Sequence, residues 1–114
     1  MREIVPGRIY TQDHPVRLAG GVLQTRMTVM ALSKGVVLHS PVPVDAALRA
    51  EIARLGEVTA IVAPSNCHHL FLPDVQRAYP GVPTYAVAGL EKKRPELALQ
   101  PFTDDVFADE LDRV

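Results

Sequence analysis

The chain has 114 residues, room for one modest domain and not for two. Hydrophobic residues make up 47% of it, enough for a real core and against global disorder. Lys and Arg number 12 against 13 Asp and Glu, a formal net charge of −1, so no basic excess points to nucleic acid and no polybasic tail to an anionic membrane. Cys67 is the single cysteine, which rules out an internal disulfide and makes a reducing cytoplasm the expected compartment. Met1-Arg2-Glu3-Ile4-Val5-Pro6 lacks the apolar core of a signal peptide. No apolar run approaches the roughly 20 residues that span a bilayer.

The first third reads as β structure. Arg8 to Gln12 alternates weakly, Asp13-His14-Pro15 reads as a turn, and Gly20-Gly21 marks a second turn or bulge. Thr25 to Leu32 alternates clearly, with Met27, Val29 and Ala31 on one face and Thr28, Met30 and Leu32 on the other. Ser33-Lys34-Gly35 is a tight-turn signal, and Val36 to His39 follows as the second strand of a hairpin. Pro41 and Pro43 end it. Asp45 to Leu55 has the helical stripe Leu48, Ile52, Leu55, with Asp45 at the N-terminal end able to pair with Arg49, and with Gly56 as the stop.

Val58 to Val62 is a buried strand by its apolar run. A second helix is expected over about Pro73 to Ala78, with Pro73 confined to the first turn and Pro80-Gly81 closing it. Thr84 to Val87 gives a further strand and Gly89 to Arg94 a short helix stopped before Pro95. Alternating strands and helices imply a parallel sheet. The acidic tail from Pro101 (Asp104, Asp105, Asp109, Glu110, Asp112) has no clean period and reads as weak helix or extended chain. Lys92-Lys93-Arg94 reads as a solvated face near a helix end, with a phosphate site as the alternative.

The richest chemistry lies just past the Val58–Val62 strand, where Ser65-Asn66-Cys67-His68-His69 carries half of the four histidines. The C-terminal edge of an α/β sheet is where ligands and metals gather. His39 ends a strand on the same edge and Asp74 follows the pair closely, so His39, His68, His69 and Asp74 are the candidate metal ligands. Against this, adjacent residues in a helical turn diverge by roughly 100°, which keeps His68 and His69 from gripping one ion side by side. The favoured reading is structural, with His69 a packed, hydrogen-bonded side chain, His68 partly exposed, His39 the end of a hairpin, and Asp74 an acid placed at a helix N-terminus. Cys67 reads as a small loop residue unless a base or helix end activates it, and Asn66 as a loop hydrogen-bonder.

The order of these motifs resembles a known family. Met27-Thr28-Val29-Met30-Ala31-Leu32, Val37-Leu38-His39-Ser40-Pro41, Ile61-Val62-Ala63-Pro64-Ser65-Asn66, His68-His69-Leu70-Phe71-Leu72 and Ala78-Tyr79-Pro80 together are similar to a branch of the metallo-β-lactamase superfamily, the domain-of-unknown-function type DUF4336. The match runs from about residue 8 to the C-terminus. It implies an α/β fold, half of an αββα sandwich with a mixed sheet and an N-terminal β-hairpin, residues 1–114 forming a single half-length domain.

Active superfamily members carry a His-x-His-x-Asp-His loop that binds zinc or iron. Aligned on its last His, that loop falls on Pro64, Asn66, His68 and His69. Proline has no side-chain donor, Asn66 is a poor imidazole substitute, and only His69 is retained. A hydrolytic zinc site wants about three N, O or S ligands plus an open water position. The expected function is therefore non-catalytic, with no cofactor. The alternatives are a divergent metal-dependent hydrolase, with zinc or iron at a site completed by a second subunit, and a small protein-interaction module. A half sandwich has helices for one sheet face only, so the other face is expected to expose Val, Ile, Leu and Met and to pair in a homodimer around Met27 to Leu38.

Overall fold

The computed structural model describes residues 1–64, 71–88, 90 and 96–101, with Leu18 described by its backbone. Seven strands among them form one mixed sheet, and two helices are ordered around it. The strands are β1 (Arg2–Val5), β2 (Ile9–Leu18), β3 (Gly21–Leu32), β4 (Gly35–His39), β5 (Val58–Ala63), β6 (Thr84–Ala86) and β7 (Gln100–Pro101), and they lie side by side in chain order. Pairing is antiparallel from β1 to β4 and parallel from β4 to β7. The expected α/β fold with an N-terminal hairpin is the one observed.

Helix α1 (Ala46–Leu55) crosses from β4 to β5, and α2 (Leu72–Ala78) from β5 to β6. Asp45 stands just before α1 and caps it, its carboxylate accepting from the Leu48 N–H at 2.8 Å. The expected pairing of Asp45 with Arg49 does not form; the Arg49 guanidinium instead sits 5.3 Å over the Tyr79 ring. Pro73 lies in the first turn of α2, where its missing N–H leaves no bond unmade.

Leu48 and Ile52 of α1 and Leu72 and Val75 of α2 pack with Met27, Val29, Val36, Leu38, Ile61 and Ala63 into the main core. These strand residues alternate with Val37, Ala60 and Val62, which form a second cluster on the opposite face. That face does not expose the apolar side chains expected of it. Val37, Ala60 and Val62 are each 4% exposed or less, because the longer Met30, Leu32 and Tyr85 on flanking strands pack against them. The large hydrophobics that do face solvent lie elsewhere: Ile4 and Val5 on β1, and Val22 and Leu23 near the β2–β3 turn.

The β2–β3 hairpin is longer than the sequence suggested. Asp13-His14-Pro15 is not a turn but mid-strand, paired with Gln24, Thr25 and Arg26 of β3. β1 reaches only to Thr11 and β4 only to Thr28, so residues 12–18 and 21–27 overhang the sheet as a two-stranded ribbon. Pro15 is tolerated because the outer edge of β2 is open there. β1 and β7, which the sequence reading did not contain, are short exposed edge strands. The expected helix over 89–94 and the tail beyond Pro101 lie outside the described residues, Leu90 excepted, and Leu90 is buried. No described helix is long and apolar enough to cross a membrane.

Gly35 opens β4 with φ +146°, and a Cβ there would meet the Glu57 carbonyl at 2.8 Å and the Thr59 side chain. Gly35→Ala is therefore expected to lose about 1–3 kcal/mol of stability, where each kcal/mol is about 4–8 °C in Tm at this size. Gly20→Ala, which meets nothing within 4 Å, is the control and is expected to melt unchanged. Thermal melts of the two variants decide it; equal melting would refute the tight approach at Gly35.

Candidate functional site

His39 closes β4 at the C-terminal edge of the parallel strands. Its Cα partners are Thr28 on β3 and Val62 on β5, and the row continues through Tyr85 to Gln100. Strand alternation puts the His39 side chain on the face of Val37 and Val62, away from the helices. It is half-buried. Ser40 follows with φ +57°, the left-handed region, as the one non-glycine residue with positive φ among those described. A serine there costs of order 1–2 kcal/mol. The Ser40 N–H donates to Val62 O at 2.8 Å, and Ser40 Oγ lies 3.2 Å from His39 Nδ1.

Asp74 sits in the first turn of α2, exposed, with its carboxylate accepting from the Arg77 guanidinium one turn on. Because α2 packs on the main-core face, Asp74 and His39 start from opposite sides of the sheet. His68 and His69, with Asn66 and Cys67, lie outside the described residues, as do Lys92, Lys93 and Arg94. Pro64, at the first position of the loop after β5, is half-buried. Among the described residues no three His, Cys, Asp or Glu side chains gather closely enough to hold a metal ion.

Two cavities flank α1. One, of about 240 Å³, lies between α1 and the β2 arm of the ribbon and is lined by Asp13, His14, Asp45 and Glu51 among others. Its carboxylates are already engaged: Asp13 with Arg26, Asp45 with the Leu48 N–H, and Glu51 with the Met1 ammonium at 2.8 Å. The other, of about 290 Å³, lies between α1 and the end of α2 and includes Arg49 and Tyr79. The Tyr79 hydroxyl is buried without a hydrogen-bond partner among the described residues. Burial pushes its pKa up, with Arg49 opposing. Ser40 and Tyr79 fall within motifs that carry the resemblance, but neither was a candidate site residue. Ser40 precedes Pro41, which disfavours helical backbone there, but nothing in the residues signals a positive φ.

The ribbon reaches the start of the loop's far end, where the His14 ring meets Phe71 edge to face at 5.2 Å. Thr25 Oγ donates to His14 O at 2.6 Å, and Arg26 Nε donates to Asp13 Oδ1 at 2.6 Å. The Arg26 hydrogen bond holds the Asp13 carboxyl below the ordinary Asp value. A depressed folded pKa gives stability that is present above the unfolded value, about 3.9, and lost as pH falls through the folded one. Asp13→Asn should therefore speed amide hydrogen exchange in the ribbon at neutral pH and match the wild type in acid. A difference that persists at low pH would refute the ion-pair origin. Global melting should barely change, since both partners are exposed.

No family model matches the chain, and no curated protein does. A solved structure does: a crystal structure of the DIM-1 metallo-β-lactamase exposed to ceftazidime is similar over 87% of this chain and 48% of that one, with 15% sequence identity and a TM-score of 0.61. The chain thus spans about half the length of the structure it matches. At that identity the likeness is one of fold, and the fold is metallo-β-lactamase-like.

Proposed function

We propose that residues 1–114 form one domain of the DUF4336 type in which the ancestral metal loop after β5 serves as a structural connection, so that the chain is a non-catalytic relative of the metallo-β-lactamases. Pro64 carries the reading. It stands at the end of β5, where the resemblance puts the first imidazole of the metal loop, and its side chain has no donor. Two further observations support it: Asp74 is engaged with Arg77 on a helix packed against the other sheet face from His39, and His39 Nδ1 is within hydrogen-bond reach of Ser40. These described donors do not suit a zinc or iron site. The single cysteine favours the cytoplasm as the compartment.

The chain purified without a histidine tag should hold no stoichiometric zinc or iron. Elemental analysis giving about one metal per chain, abolished by His69→Ala, would overturn the reading. It would favour instead a divergent hydrolase built on His39, His68, His69 and Asp74. The observation on that side is the position of His39 on the strand paired with β5, beside the edge from which the His68-His69 loop departs.

Assembly as a homodimer belongs to the same proposal. The solved structure is about twice as long as the region it shares with this chain, and in the proposed dimer a second copy packs against the face rimmed by Met30, Leu32 and Tyr85. Light scattering at micromolar concentration should give twice the 12.5 kDa chain mass. A soluble particle of 12.5 kDa would refute the dimer and any site shared across it.

A further inference from the structure

We propose that the cavity between α1 and the end of α2 binds a small monocarboxylate with an apolar body, its carboxylate taken by the Arg49 guanidinium and the Tyr79 hydroxyl. The lining includes Val58, which opens β5, and Val82, two residues before β6. The site therefore lies at the N-terminal end of the parallel strands, at the other end of the sheet from His39, and it stands whether or not the loop after β5 binds a metal.

The fold leaves two polar groups there unsatisfied. A buried hydroxyl normally has a hydrogen-bond partner, and that of Tyr79 has none among the described residues. The Arg49 guanidinium, 5.3 Å over the Tyr79 ring, meets no carboxylate among the described residues. A guanidinium set over a ring keeps its N–H donors free in its own plane. The Arg49 charge is felt at the hydroxyl, where it opposes the rise that burial imposes on the Tyr79 pKa. Both groups donate. What they lack is an acceptor, and a carboxylate offers two oxygens that share one negative charge.

The rest of the cavity sets the class of ligand. Its volume of about 290 Å³ lies at the small end of ligand pockets, which run from roughly 300 to 1,000 Å³. Ile52, Val58 and Val82 line it, and the first two belong to the buried core, so the body of the ligand is a short hydrocarbon. Glu57, exposed, is also in the lining, and the C-terminal ends of both helices bring partial negative charge. Arg54 in the last turn of α1 offsets one of those ends, but Glu57 still opposes a second negative charge on the ligand. A singly charged carboxylate therefore fits where a phosphate does not. The hydroxyl is shut off from solvent in the structure, so the anion meets it as the Tyr79 ring tips toward the cavity from its place just past α2.

The test is an NMR titration of the full chain with 3-methylbutanoate at neutral pH, read at the backbone amides and at the Arg49 side-chain N–H. Saturable shifts should appear at Arg49, Gly56, Glu57 and Tyr79, with a dissociation constant in the millimolar range that suits so few ligand atoms. Arg49 is exposed, so Arg49→Gln should fold as the wild type does and bind at least about tenfold more weakly. Tyr79→Phe removes a hydroxyl that has no partner, so it should melt no lower than the wild type and yet bind about tenfold more weakly. A merely structural hydroxyl would give the reverse, a lower melting temperature with unchanged affinity, and would overturn the proposal. So would the absence of saturable shifts, or equal binding of 3-methylbutylamine or 3-methylbutanamide, which keep the hydrocarbon and lose the anion. Inorganic phosphate binding as tightly as the carboxylate would overturn the assignment of ligand class.

Discussion

The parallel pairing of β4 with β5 is the constraint on which the rest depends. Both strands are apolar on both faces: Val36 and Leu38 with Ile61 and Ala63 toward the helices, Val37 with Ala60 and Val62 on the other side. Each buried Val, Leu or Ile contributes about 1.5–3 kcal/mol relative to exposure, so the pair is a strong organising centre for so short a chain. Parallel strands cannot be joined by a tight turn. The connection must cross a face, and α1 does so because Leu48 and Ile52 give it one apolar stripe. The same need places α2 on the way to β6. The C-terminal edge of this centre, where His39 and Pro64 sit, is then fixed without reference to any chemistry.

Outward from the centre the constraint weakens. β3 is tied to β4 only from Thr28 to Leu32, and beyond that the β2–β3 ribbon is on its own. Two-stranded ribbons are marginal in water. This one is held by contacts along its length: the Arg26–Asp13 pair, the Thr25 bond to His14 O, and the His14–Phe71 contact at the far end of the loop after β5. A segment held by so few contacts belongs to the low-stability end of a structure.

The central strands and both helices were readable from the residues, because burial on both faces and a helical stripe leave unmistakable patterns in Val36–His39, Val58–Val62 and Ala46–Leu55. The ribbon was not. Asp13-His14-Pro15 has the composition of a turn, and local propensity cannot register that a proline sits on an open edge where its missing N–H costs no ladder bond. β1 and β7 are too short to show alternation. The candidate site was half readable. The sequence placed His39 at a strand end, while the opposite sheet faces from which His39 and Asp74 start follow only from the strand register and the packing of α2. Alternation through Val36, Val37 and Leu38 puts His39 on the far side of the sheet from α2. The positive φ of Ser40 leaves no mark in the residues at all.

Ser40 shows the same hierarchy at the scale of one residue. A serine in the left-handed region costs of order 1–2 kcal/mol, and such a conformation persists only where the surroundings over-determine it. Here the Ser40 N–H bond to Val62 O, one residue past β4, and the burial of the residue hold the backbone in place. The turn brings Ser40 Oγ to 3.2 Å from His39 Nδ1, a contact that an extended strand does not allow between neighbours. The pairing of β4 with β5 thus fixes where the edge lies and also which hydroxyl its histidine meets.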